Sequence, residues 1–144
     1  MGEREFRVNK PTAAYVLTSW LCLIVGVLTY LIGLYNAGME LNEKGYYLTL
    51  LIFGLYSAVS LQKAVRDKLE GIPTTSIYYG LCWIALLSAV GLLFIGLYNA
   101  GSIIRSEKGF YAMCYLLCLF SAITVQKNVR DLENCKEPEK ENIL

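Results

Sequence analysis

The chain has 144 residues, of which 56% are apolar and 17% charged, with a formal net charge of +1 and no histidine. Soluble domains average about 45–50% apolar and about 25% charged, so the composition points to a membrane. Near-neutral charge and the absence of a basic motif exclude nucleic-acid binding.

Residues 1–10 form an N-terminal segment with Arg4, Arg7 and Lys10. No charge then occurs from Pro11 to Met39, which exceeds the ~20 residues a helix needs to cross the hydrocarbon layer. Thr12 is the expected N-cap. The run is too long for the core of a signal peptide and no A-x-A-like site follows, so it is expected to stay in the mature chain. It ends in IGLYNAG at 32–38, where Gly38 offers a left-handed helix end. The second uncharged stretch runs from Gly45 to Gln62. Asn42 is the expected cap before it, and Glu43 suits the positive end of a helix. This helix exits through Gln62, Lys63, Arg66 and Asp67 into a linker at 68–73. The third stretch, Gly71 to Ile104, opens at Thr75 and repeats IGLYNAG at 95–101, with Gly101 at its end. The fourth, Gly109 to Gln126, follows Ser106, the expected cap equivalent to Asn42, and Glu107, and exits through Gln126, Lys127, Arg130 and Asp131. The tail 132–144 is charged, holds a proline and lacks periodicity, so it reads as a mobile end.

The chain is one unit written twice. A shift of 63 lays Thr12, Tyr15, Trp20 and Val27 on Thr75, Tyr78, Trp83 and Val90. After the heptapeptide the second copy gains one residue, and a shift of 64 pairs EKGYY with EKGFY and QKAVRD with QKNVRD. The repeats occupy 11–67 and 74–131. A soluble bundle would carry a polar face at helical spacing, and YYLTLLIFGLYSAVSL offers only hydroxyls. The predicted fold is therefore all-α: an integral membrane four-helix bundle made of two tandem helical-hairpin repeats. Lys and Arg number ten in the N-terminal segment, central loop and tail against three in the hairpin turns, which predicts that both termini are cytoplasmic. The two repeats then share an orientation and are related by a pseudo-two-fold axis along the membrane normal.

Four groups are candidates for function. Small residues at four-residue spacing, Gly33 to Ala37, Gly96 to Ala100, Gly54 to Ala58 and Cys118 to Ala122, allow close helix packing within or between chains. Asn36 and Asn99, at the outer helix ends, are expected to bond a neighbouring backbone or helix; the functional alternative has them facing each other across the axis to hold a solute. Glu43 and Glu107 favour the N-termini of their helices, with a small-ligand face as the alternative. The exits Gln62, Lys63, Arg66, Asp67 and Gln126, Lys127, Arg130, Asp131 set two polar strips on each helix. Cations there suit the helix C-terminus and anionic lipid headgroups, but the aspartates do not. Crossed pairing, Arg66 with Asp131 and Arg130 with Asp67, would accommodate them; anion binding by the arginines is the alternative. The five cysteines form no C-x-x-C pair and no disulfide framework. Cys114 and Cys118 share a helix face, but without histidine or a nearby carboxylate no metal site is expected.

LNEKGYY, KAVRDKLEGIPTTSIYY, the duplicated IGLYNAG and SEKGFY followed by VQKNVRD closely resemble the YiaA/YiaB family of bacterial inner-membrane proteins, over about Pro11 to Asp131. The resemblance implies a two-helix unit, here in two copies, and brings no catalytic residues and no cofactor. No acid, base or histidine lies within the apolar spans, so an enzyme is not expected. The expected partners are the lipid bilayer and either further copies of the chain or another membrane protein. The reading is a structural or interaction membrane protein of the inner membrane. The alternative is a small-solute transporter or channel acting as a homo-oligomer.

Overall fold

The computed structural model describes residues 10–141, with side chains described as far as Lys136. Arg4 and Arg7 lie outside the described residues, as does the side chain of Lys140. The helices are α1 (Ala13–Asn36), α2 (Leu41–Leu69), α3 (Ser76–Asn99) and α4 (Arg105–Glu141). All four are long and apolar enough to cross a membrane. At 1.5 Å per residue the 24 residues of α1 and of α3 span ~36 Å and the 29 of α2 ~44 Å. The charged ends of α2 and α4 therefore project beyond the apolar layer.

The Thr12 and Thr75 side chains accept hydrogen bonds from the Tyr15 and Tyr78 amides at 3.2 and 3.3 Å, as their place before the apolar runs predicts. Asn42 and Ser106 are not caps. Both lie inside the first turn, because the Glu40 and Ile104 carbonyls already accept the Lys44 and Lys108 amides at 3.0 and 3.1 Å and start each helix earlier. Gly38 and Gly101 do not adopt the left-handed conformation either. The chain leaves α1 and α3 through extended Ala37 and Ala100 (φ −69° and −71°), whose amides return to the Leu34 and Leu97 carbonyls. Among the described residues the positive-φ glycine is Gly71, at φ 75°. There the Ile72 amide reaches the Asp67 carbonyl at 2.8 Å and the Gly71 amide that of Lys68 at 3.3 Å, a Schellman closure of α2. The predicted mobile tail is helical as far as Glu141, and Asn134 within it is tied to Glu70 at the end of α2.

The helices stand in the order α1, α4, α2, α3. α1 packs along α4 and α3 along α2, while α2 and α4 meet at the centre; α1 and α3 do not touch. Each repeat thus gives its first helix to the second helix of the other repeat, and its own two helices meet only briefly. Glycines explain the choice, because close approach is the main source of helix attraction in lipid. A β-carbon at Gly33 of α1 would lie 2.6 Å from the Phe110 ring of α4, and one at Gly96 of α3 would lie 2.7 Å from the Tyr46 ring of α2. Gly54 of α2 admits Tyr115 of α4 so closely that a β-carbon would overlap its hydroxyl. Ala58, Cys118 and Ala122 are buried in the same central seam. The outward sides of α1 and α3 keep large apolar residues such as Leu17, Leu21, Ile32, Ile84 and Leu87 exposed, as lipid contact requires.

Candidate functional site

The projecting ends of α2 and α4 hold the densest polar assembly. Lys63 and Lys127 donate to Asp67 and Asp131 one turn further on, both at 2.8 Å. Arg66 of α2 pairs with Asp131 of α4, and Arg130 of α4 with Asp67 of α2 at 2.6 Å. The crossed pairs are thus present, and each aspartate is buried between a lysine of its own helix and an arginine of the other. Gln62 and Gln126, half-buried one turn deeper, take no part in the network.

The sequence reading missed Glu70. Its carboxylate accepts from Arg66 at 2.7 Å, Arg130 at 2.9 Å and Asn134 at 3.0 Å. Asn134 is its own counterpart under the 64-residue shift, so the two residues meet near the pseudo-axis. A second glutamate there would repel the first, and the amide converts the clash into a hydrogen bond. Desolvation pushes the Glu70 carboxyl up, but hydrogen bonds from Arg130, Arg66 and Asn134 outweigh it and hold it below the usual carboxylate range. The departure from the repeat at 70 and 134 was the available signal.

A second unforeseen polar contact lies deeper. Asn128 of α4, 1% exposed, donates to the Ser19 hydroxyl of α1 at 3.2 Å, and Ser19 in turn donates to the Tyr15 carbonyl at 2.7 Å. Ala64 and Cys82 hold the corresponding places in the other half.

At the opposite face, Asn36 and Asn99 bond back to the Ile32 and Ile95 carbonyls at 3.0 and 2.9 Å. They do not face each other, because α1 and α3 stand on opposite sides of the α2 and α4 pair. Lys44 reaches the Tyr35 carbonyl at 3.0 Å and Lys108 that of Tyr98 at 3.5 Å. Each turn lysine therefore neutralises the negative C-terminus of the preceding helix, which explains why the heptapeptide and the EKG motif recur together. Glu107 is exposed in the first turn of α4. Glu43 accepts from Ser102 at 3.2 Å and lines a cleft of about 400 Å³ with Asn42, Tyr46, Tyr47, Gly96 and Asn99. The structure thus gathers Glu43 and Asn99 and leaves Asn36 and Glu107 elsewhere.

Comparison with known proteins also finds two copies of one unit. The yiaA/B two helix domain matches residues 15–67 and again 78–131. The chain belongs to that family. Inner membrane protein YiaA of Escherichia coli (strain K12) is 53% identical over 125 residues, covering 87% of this chain and 86% of the relative. Inner membrane protein YiaB of the same organism is 35% identical over 103 residues, covering 69% and 84%. The uncharacterized membrane protein YubF of Bacillus subtilis (strain 168) is 42% identical over 63 residues, covering 43% and 72%. No solved structure matches. This member of the yiaA/B family is a multi-pass inner-membrane protein with its two-helix domain in tandem, and none of the relatives' names carries an enzymatic activity.

Proposed function

We propose that this yiaA/B protein is a structural or interaction component of the inner membrane, which self-associates or carries an envelope partner. The observation that supports this most is the closed ion network. Arg66 and Arg130, the groups best suited to an incoming anion, are held by Asp131, Asp67 and Glu70 and serve as the clasp between the halves. Among the described residues α2 and α4 also pack directly against each other at the centre, with α1 and α3 apart, an arrangement that favours a closed bundle over a path through one chain. By the positive-inside rule the clasp and both termini lie in the cytoplasm; reporter fusions active only in the cytoplasm should work at either terminus, and activity of a periplasmic reporter there would reverse the orientation.

A second reading, a small-solute transporter or channel formed by a homo-oligomer, draws on the outer cleft with Glu43, Asn99 and Tyr46. Native mass spectrometry in detergent and in lipid nanodiscs separates the two. A ligand-free monomer or simple dimer supports the interaction role, and the partner is then sought by crosslinking in cells. A defined oligomer that retains a specific solute, and loses it on Glu43→Gln or Asn99→Ala, overturns that role in favour of transport.

A further inference from the structure

The repeat allows every contact in one half to be set beside its counterpart, with α1 matching α3 at a shift of 63 and α2 matching α4 at 64. Near the centre of the molecule the two copies differ in size. Gly26 of α1 faces Cys118 of α4, and a β-carbon at 26 would lie 2.9 Å from the sulfur. The counterparts of Gly26 and Cys118 are Ala89 and Gly54. Gly54 itself receives Tyr115, whose hydroxyl donates to the Leu50 carbonyl at 2.8 Å. The counterparts of Gly54 and Tyr115 are Cys118 and Leu51. Tyr115 is fully buried against Tyr30 of α1, ring centroids 6.2 Å apart, where the other copy has Leu93.

We propose that the two repeats recognise each other as unlike partners: the first supplies hollows at Gly26 and Gly54, and the second supplies Cys118 and Tyr115 to fill them. This rests on packing alone and is independent of the function proposed above. Two second repeats set in the same geometry would put the Cys118 side chain where the Tyr115 hydroxyl sits, and the Ala89 β-carbon against the Cys118 sulfur, each twice by symmetry. Two first repeats would set Gly26 against Gly54 and Leu51 beside Gly54, leaving the hollows empty. Lipid tails are as apolar as the side chains, so filled contacts rather than the hydrophobic effect decide which helices associate. The inner face of each half is therefore committed to one occupant, the other half. Like halves of two copies do not pair through it, and any self-association uses other faces.

The test exchanges the letters between copies in the full chain and reads the thermal midpoint and mass in detergent. Giving the first copy the second copy's residues (Gly26→Ala, Tyr30→Leu, Leu51→Tyr, Gly54→Cys) creates the overlaps and lowers the midpoint. Giving the second copy the first copy's residues (Ala89→Gly, Leu93→Tyr, Tyr115→Leu, Cys118→Gly) empties the hollows and lowers it too. All eight together restore each large residue to a hollow on the opposite side, so the eightfold variant should be a monomeric fold that regains most of the loss. An eightfold variant whose loss equals or exceeds the two fourfold losses combined, including one that does not fold, overturns the proposal. So does either fourfold variant that loses nothing.

Discussion

The side chains that matter most at the charged ends of α2 and α4 work in opposed pairs. Asp67 and Asp131 are 5% exposed, and each is shared by a lysine of its own helix and an arginine of the other. Removing one partner leaves the other charge short of compensation, whereas removing both does less harm. A double-mutant cycle with Arg66→Gln and Asp131→Asn should therefore give a coupling of about 1 to 3 kcal/mol in thermal or denaturant unfolding, and additive losses would contradict the pairing. Glu70 makes the cluster acid-sensitive. Its folded pKa lies below the ordinary value, so its contribution is complete above that ordinary value and fades as pH falls through the lowered one. Glu70→Gln should accordingly flatten the fall of the thermal midpoint between about pH 7 and about pH 3 relative to the native chain, and an unchanged acid limb would show that Glu70 contributes nothing there. The aspartates and their crossed partners were legible in the sequence because cations alone explained the exit and the acids did not. Glu70 was not, since it follows the repeated QKxVRD string and its counterpart is an amide.

At the level of the helices, the four spans followed from charge-free length and the starts of α1 and α3 from their threonines, while the other ends did not. Threonine caps sit where the apolar run begins and are visible as such. The turns were misread because IGLYNAG carries a glycine in the usual closing position, yet extended alanine and a lysine reaching back to a tyrosine carbonyl close these helices instead. Glycine substitution distinguishes the two kinds of position. Gly38→Ala and Gly101→Ala meet no atom within 4 Å and should stay within about 0.5 kcal/mol of the native stability. Gly71→Ala, at φ 75°, should cost about 1 kcal/mol because a β-carbon strains the left-handed conformation. Equal effects at all three would mean that α2 does not end in the Schellman closure. Gly54→Ala should be the most damaging of the glycine changes, with Tyr115→Leu as its partial suppressor, since the β-carbon and the phenol compete for one space.

For the molecule as a whole, the sequence reveals two copies of a hairpin and says nothing of which helix each one packs against. A short connection suggests that neighbours in the chain are neighbours in space; that holds for α2 and α3, but the two helices of each hairpin, α1 with α2 and α3 with α4, meet only briefly. Small residues mark the faces of close approach but not the partner, and partner choice emerges only when Gly26, Gly33, Gly54 and Gly96 are matched with the side chains that face them, Cys118, Phe110, Tyr115 and Tyr46. The exchange makes one folded body from two units, and it places the Arg and Asp clasp where α2 and α4 leave the apolar layer. The most direct measurement of this claim is disulfide trapping in native membranes. With Cys22, Cys82, Cys114 and Cys135 replaced, Gly26→Cys is paired with the native Cys118 and a protease site is placed in the 70–75 connection. The β-carbon at 26 lies 2.9 Å from the Cys118 sulfur, within reach of a disulfide. Oxidation followed by cleavage should leave the two halves of a single chain joined, and a reductant should release them. Halves that separate after oxidation and cleavage, or a disulfide that forms only between two copies, would contradict the exchanged packing on which the account stands.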